Sequence, residues 1–244
     1  MKIYTALQKG DYHLDFCEDQ FFTGTIGDSK ILCAVMDGCT MADESYFAST
    51  LVKKLLRKIA QTKTYQEFKN HTEQITIEKE LKEILKNLFL ELNSCRNQLG
   101  LGKRELLTTI VILLVDAQAK TGAYVVVGDG LICIDDSTID FDQDNKPDYL
   151  GFHLHEDFDT WYNSHTQKCT FGVNSHISLA TDGIHTFTKI SPVKVESKID
   201  VLEYLLFDQS FCEKEDMIEL KLKKLEFQYG LKPTDDFSMI RIEM

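Results

Sequence analysis

Apolar and polar positions alternate, or run together for a few residues, at the start of the chain, so that MKIYTALQ, DQFFTGTI and KILCAVMD read as short strands. The pattern then changes period. Phe47, Leu51, Leu55 and Ile59 recur at helical spacing, predicting a helix over about residues 43 to 62 with Thr40 or Asp43 as its cap. A second helical pattern runs over about residues 76 to 98 and stops at Gly100, a suitable C-cap. Two β-branched runs follow, ELLTTIVILLVDAQ and TGAYVVVGDGLICID, separated by the turn-like AKTG and read as a hairpin or meander. NKPDYLGFHLH and CTFGVNSHISLATD add strands, and helices are expected near KIDVLEYLLFD and in EKEDMIELKLKKLEFQYG. Within the latter, ELKLKKLEF reads as a solvated amphipathic helix, and DDFSMIRIEM supplies a last strand. This order predicts an α+β fold, antiparallel sheets with helices on their outer faces.

Three of the apolar runs, KILCAVM, AYVVVG and ISLAT, stop at Asp-Gly. Asp-Gly between two strands is a strong hairpin signal, and it suits Asp129-Gly130, where LICID follows at once. It does not suit Asp37-Gly38, which leads into a helix, or Asp182-Gly183, which leads into IHTFTKISP. An aspartate at a strand end is ordinarily a turn residue or a cap. Several at one end of a sheet, joined by Asp235-Asp236 ahead of the last strand, form an oxygen-rich cluster of the kind that hard divalent cations prefer.

Composition narrows the chemistry. The chain has 244 residues, and its 39 Asp and Glu against 27 Lys and Arg give a net charge of -12, which opposes nucleic acid and anionic membranes as partners. An anionic substrate would therefore need a bound cation to attract it. Seven scattered cysteines without a C-x-x-C pair fit neither a disulfide framework nor a zinc ribbon. With no apolar signal-like segment and no membrane-length run, a reduced, cytoplasmic protein is expected. Three prolines and dispersed glycines leave no linker, so residues 1–244 are expected to form a single domain.

Taken in order, CEDQFF, AVMDG, LLTTIVILLVD, VVVGDG, LATDG and TDDFSMIRIE resemble, across nearly the whole chain, the metal-dependent (PPM, type 2C) serine/threonine protein phosphatases, in a divergent bacterial-type form. The resemblance implies a four-layer α-β-β-α sandwich and hydrolysis of phosphoserine and phosphothreonine in a phosphorylated protein substrate. The nucleophile would be a hydroxide bridging two Mn²⁺ or Mg²⁺ ions. It further implies that Asp37 bridges the ions while the Gly38 carbonyl binds one of them. Asp182 and Asp235 would complete the first ion's shell, Glu18 and Asp19 would hold metal-bound waters, and Asp129 would help hold a third, weaker ion.

The chain departs from the family pattern at three places. Cys39 stands where a histidine is thought to protonate the leaving oxygen, and a thiol is a poorer acid for that step. Leu14 stands where an arginine forks onto the phosphate, leaving Lys9 and His13 as candidates for binding phosphate and His13 for the proton transfer. Asp-Asn becomes Asp235-Asp236. A catalytically weak relative that binds phosphoproteins as a regulatory module is the alternative, but such decay would remove metal carboxylates too, and Asp19, Asp37, Asp182 and Asp235 are present. His153 and His155, two apart in HLHED, are read as satisfied imidazoles on a strand rather than a metal pair.

Overall fold

The computed structural model describes residues 1–69, 75–143, 148–190 and 199–244. One five-stranded antiparallel sheet runs in the order β2 (Gln20–Ile26), β3 (Lys30–Met36), β4 (Ile110–Asp116), β5 (Thr121–Val127), β8 (Lys168–Gly172). The other runs β1 (Lys2–Gln8), β12 (Phe237–Glu243), β9 (His176–Ala180), β6 (Gly130–Ile134), β7 (Ser137–Phe141). A two-stranded ribbon pairs β10 (Phe187–Lys189) with β11 (Leu231–Pro233).

Strand periodicity explains the layers. Along β3, Ile31, Cys33 and Val35 point into the apolar layer between the sheets, while Leu32, Ala34 and Met36 point outward under helices α1 (Phe47–Lys69) and α2 (Ile77–Leu99). Buried on both faces, the strand reads as a continuous apolar run. On the second sheet Ile240 and Ile242 face inward, and Phe237 and Met239 face α4 (Val201–Leu206) and α5 (Met217–Lys224). The fold is the expected α-β-β-α sandwich. α2 keeps its expected ends: Thr76 accepts from the Lys79 amide at its start, and Gly100 closes it with φ of 69°. α1 begins later than the pattern implied, because Thr40 bonds Glu18 instead of capping a helix. It also runs past residue 62, where Thr64 reaches the Thr25 carbonyl and Lys63 and Glu67 pair with Glu83 and Lys30.

Three local expectations are corrected. Asp129-Gly130 is not a hairpin turn, because β5 and β6 belong to different sheets and the chain crosses between them there. The described part of NKPDYLGFHLH, from Asp148 onward, forms a short 3₁₀ turn at Leu150–Phe152 rather than a strand, and its first three residues lie outside the described residues. In that turn His153 pairs with Asp148 at 2.6 Å and Glu156 at 2.7 Å, while His155 is exposed. Lys221, read as part of a solvated face, is fully buried. Its ammonium group donates to the Tyr204 carbonyl at 2.7 Å, and Arg241 donates to the Leu205 and Asp208 carbonyls at 3.0 Å. Both cations thus serve the carbonyl-rich C-terminal end of α4. Among the described residues no helix is long and apolar enough to cross a membrane.

Candidate active site

The ends of four strands and one loop meet at one edge of the sandwich. Asp37 follows β3, Asp129 follows β5, Asp182 follows β9, and Asp235 and Asp236 precede β12. Glu18 and Asp19 precede β2 at the end of the 9–19 loop. Buried Asp236 holds that loop in place. Its carboxylate accepts from the Gly10 amide at 2.7 Å and the Glu18 amide at 2.5 Å, and it lies 3.0 Å from His13 Nδ1. Two glycines let these segments close up. A Cβ on Gly38 would lie 2.2 Å from the Ser45 carbonyl oxygen, and one on Gly183 would lie 1.8 Å from that of Asp236.

Hydroxyl groups do much of the positioning, and the sequence reading did not anticipate them. Thr108 donates to the Asp37 carbonyl at 2.7 Å, the Thr109 amide donates to the same oxygen at 2.9 Å, and Thr109 Oγ1 accepts from the Asp37 amide at 3.2 Å. Thr181 donates to Asp19 Oδ2 at 2.6 Å and accepts from the Ser238 amide at 2.9 Å. The only sequence signal was the pair of threonines ahead of β4 and the threonine in LATDG.

The remaining expected residues divide. His13 Nε2 lies 3.0 Å from Asp235 Oδ1 and its Nδ1 lies 3.7 Å from Glu18 Oε1, so its ring sits among carboxylates. Lys9 is spent on the Leu14 carbonyl at 2.7 Å. Tyr149 lies beside buried Cys39, and its phenol is in the field of Asp37 and Asp129. Burial and these neighbours push the Tyr149 hydroxyl far above its ordinary value, so it remains a hydrogen-bond donor. Tyr149 was invisible in the sequence because it is brought to the site by a short turn far along the chain.

Electrostatically the cluster asks for cations. Burial raises Asp19, and burial together with Asp19, Asp182 and Asp235 holds Asp37 well above the usual carboxylate range. Burial and Asp235 raise Asp182, and burial and Asp182 push Asp129 up to about 6. Asp19 Oδ1 and Asp129 Oδ1 are buried without a hydrogen-bond partner, which is costly unless something else satisfies them. Among the described residues no three His, Cys, Asp or Glu side chains already form a closed metal-binding group. The oxygen donors, orphaned atoms and mutual repulsion fit hard divalent ions that keep several of their waters.

A pH dependence follows. A carboxyl group whose folded value lies above its unfolded one binds more protons when folded, so its stabilising effect is present at low pH and lost as pH rises through the folded value. For Asp129 that window runs from the ordinary 3.8 to about 6, and the other raised groups extend it upward. In chelator the melting temperature is therefore expected to rise as pH falls from about 7 to about 5, with Asp129 contributing no more than about 2 kcal/mol after solvent screening. Excess Mg²⁺ should flatten the slope. Thermal melts across that range, with Asp129→Asn as the comparison, check this; a melting temperature that falls throughout would contradict it.

The family model for protein phosphatase 2C matches residues 10–223. No curated protein matches the chain by sequence. Solved structures with a similar fold include a bacterial serine phosphatase at 14% identity and TM-score 0.62, covering 100% of this chain and 97% of its own. RsbX in complex with magnesium is similar at 16% identity and TM-score 0.58, covering 99% and 94%. The SiaA PP2C domain of Pseudomonas aeruginosa is similar at 11% identity and TM-score 0.61, covering 99% and 85%. With its carboxylates gathered where the strands of both sheets end and a family match spanning most of its length, the chain belongs to the protein phosphatase 2C family.

Proposed function

We infer that this protein hydrolyses phosphoserine and phosphothreonine esters in proteins, using Mn²⁺ or Mg²⁺ held by its acidic cluster. The observation that carries the reading is the pair of buried, unpartnered oxygens on Asp19 and Asp129 within a cluster whose carboxylates raise one another's pKa values. Asp37, Asp182 and Asp235 would ligate two ions with the Gly38 carbonyl, Glu18 and Asp19 would orient their waters, and Asp129 would serve a third. Bound there, the ions supply an activated water as nucleophile and neutralise charge on the phosphoryl oxygens.

The chain's own groups then handle orientation and the leaving oxygen. Thr108 and Thr109 fix the Asp37 backbone, and Thr181 fixes Asp19, so the carboxylates are held before substrate arrives. His13 is set among Glu18, Asp235 and Asp236, with its two ring nitrogens 3.0 Å from Asp235 and Asp236, where it orients Asp235. The Tyr149 hydroxyl, kept protonated beside Cys39 and near Asp37 and Asp129, is a donor that can serve a phosphoryl or leaving oxygen where the family histidine is replaced by Cys39. Tyr149→Phe is expected to lower kcat/KM on a phosphothreonine peptide about tenfold, a typical loss for one hydrogen bond to a charged partner. It should change p-nitrophenyl phosphate hydrolysis much less, since that leaving group hardly needs a donor. Cys39→Ser should alter either rate little. Steady-state kinetics on both substrates tests the assignment, and equal losses on both for Cys39→Ser would overturn it.

The competing reading, a phosphoprotein-binding module without turnover, draws on His13 occupying Asp235. It predicts phosphopeptide binding with no phosphate released when Mn²⁺ is present.

A further inference from the structure

Large apolar side chains stand in solvent around the acidic cluster. On the 9–19 loop Tyr12 is 78% exposed, Leu14 88% and Phe16 59%, and on the segment after Gly38 Met41 is 71% exposed. Both segments are tied to the site itself. The Tyr12 amide bonds the Thr234 carbonyl at 3.0 Å, beside Asp235, and His13, between Tyr12 and Leu14, reaches Asp235 and Asp236. Next to Met41, Thr40 donates to Glu18 Oε2 at 3.1 Å. The Phe16 ring is held 4.6 Å from that of Tyr46, which keeps the apolar rim in place.

Cations near this mouth are already engaged. Lys9 is held by the Leu14 carbonyl, Lys232 pairs with Asp11 at 2.9 Å, and Arg104 donates to the Met41 carbonyl at 2.7 Å. Lys9 and Arg104 keep their charge but are held by main-chain carbonyls, so the side chains this rim leaves standing in solvent are apolar. Leaving several large apolar side chains in water on two segments tied to one site costs free energy, and exposed apolar surface in such a place marks an interaction surface.

We propose that Tyr12, Leu14, Phe16 and Met41 form a specificity rim that binds apolar residues flanking the phosphorylated serine or threonine of the substrate protein. The proposal rests on the phosphatase reading above and adds the substrate class: phosphosites set in apolar rather than acidic or basic sequence. The rim lies beside the metal-binding carboxylates, so the phosphoryl group and its neighbours would be held at the same time. None of the four residues takes part in the chemistry.

The test compares three phosphothreonine peptides, with leucine, aspartate or lysine at the two positions on each side, together with p-nitrophenyl phosphate, in Mn²⁺. The wild-type protein is expected to favour the leucine-flanked peptide by about tenfold in kcat/KM over either charged one. Leu14→Asp and Phe16→Asp should each raise KM for that peptide about tenfold more than KM for p-nitrophenyl phosphate, leaving kcat at its wild-type value. Leu14 is nearly fully exposed, so Leu14→Asp is expected to keep the wild-type melting temperature. Hydrolysis of p-nitrophenyl phosphate without any dependence on peptide flanks would overturn the rim and leave the phosphatase reading standing, whereas no hydrolysis of any substrate would overturn that reading first. Leu14→Asp dissolving a dimer, as seen by light scattering, with no change in KM would assign the rim to self-association instead and overturn the proposal.

Discussion

Asp37→Asn is expected to reduce metal-dependent hydrolysis by about 10² to 10⁴-fold, because the lost carboxylate sits where the proposed ions would meet and the several kcal/mol that such ions contribute go with it. The same change should not unfold the protein. Asp37 is raised well above the usual carboxylate range by burial and by Asp19, Asp182 and Asp235, so a neutral amide relieves repulsion in the metal-free protein. Its backbone contacts to Thr108 and Thr109 do not involve the side chain. The melting temperature in chelator should equal or exceed that of the wild-type protein, while the rise produced by Mn²⁺ should shrink. A large loss of stability in chelator, with activity falling only in proportion to the unfolded fraction, would make Asp37 a structural turn residue.

Gly183→Ala is expected to cost about 3 kcal/mol, at the upper end of typical overpacking, and to lower the melting temperature by about 6 to 12 °C for a chain of this length. A Cβ there would lie 1.8 Å from the Asp236 carbonyl oxygen, 2.8 Å from its carbonyl carbon and 3.2 Å from Phe237 Cα. All three are backbone atoms, so no rotamer change relieves the clash and the start of β12 must move. Asp236 anchors the Gly10 and Glu18 amides, so the movement would loosen the 9–19 loop and lower activity as well. Thermal melts and p-nitrophenyl phosphate kinetics measure both effects. Unchanged stability would mean that the β9 and β12 ends are not packed as closely as described.

Much of the site's acidic frame was legible because Asp37, Asp129 and Asp182 sit where an apolar run stops and Asp235 where one begins, while Glu18 and Asp19 came only with the family resemblance; a run such as KILCAVM, buried on both faces of a central strand, cannot be mistaken for a surface loop. The sheets were legible for the same reason. Residues whose roles depend on another segment were not. Thr181 looks like any strand-end threonine until Asp19 is placed beside it, and Tyr149 is joined to Cys39 only by the fold. Lys221 reads as part of a solvated helix face, yet it is fully buried at the end of α4, where main-chain carbonyls accept from it and from buried Arg241, which also pairs with Glu243. Helix α3 (Phe158–Ser164) escaped notice since seven residues span barely two turns, too few for a helical period to emerge from DTWYNS. Its start is nonetheless local, with Asp157 accepting from the Thr160 amide.

If the acidic cluster is a divalent-cation site that hydrolyses phosphate esters, protein stripped of metal should release no phosphate from p-nitrophenyl phosphate in excess EDTA, recover saturably as Mn²⁺ or Mg²⁺ is titrated back, and show no recovery in Asp37→Asn. Full turnover in excess EDTA would rule out a metal-dependent site.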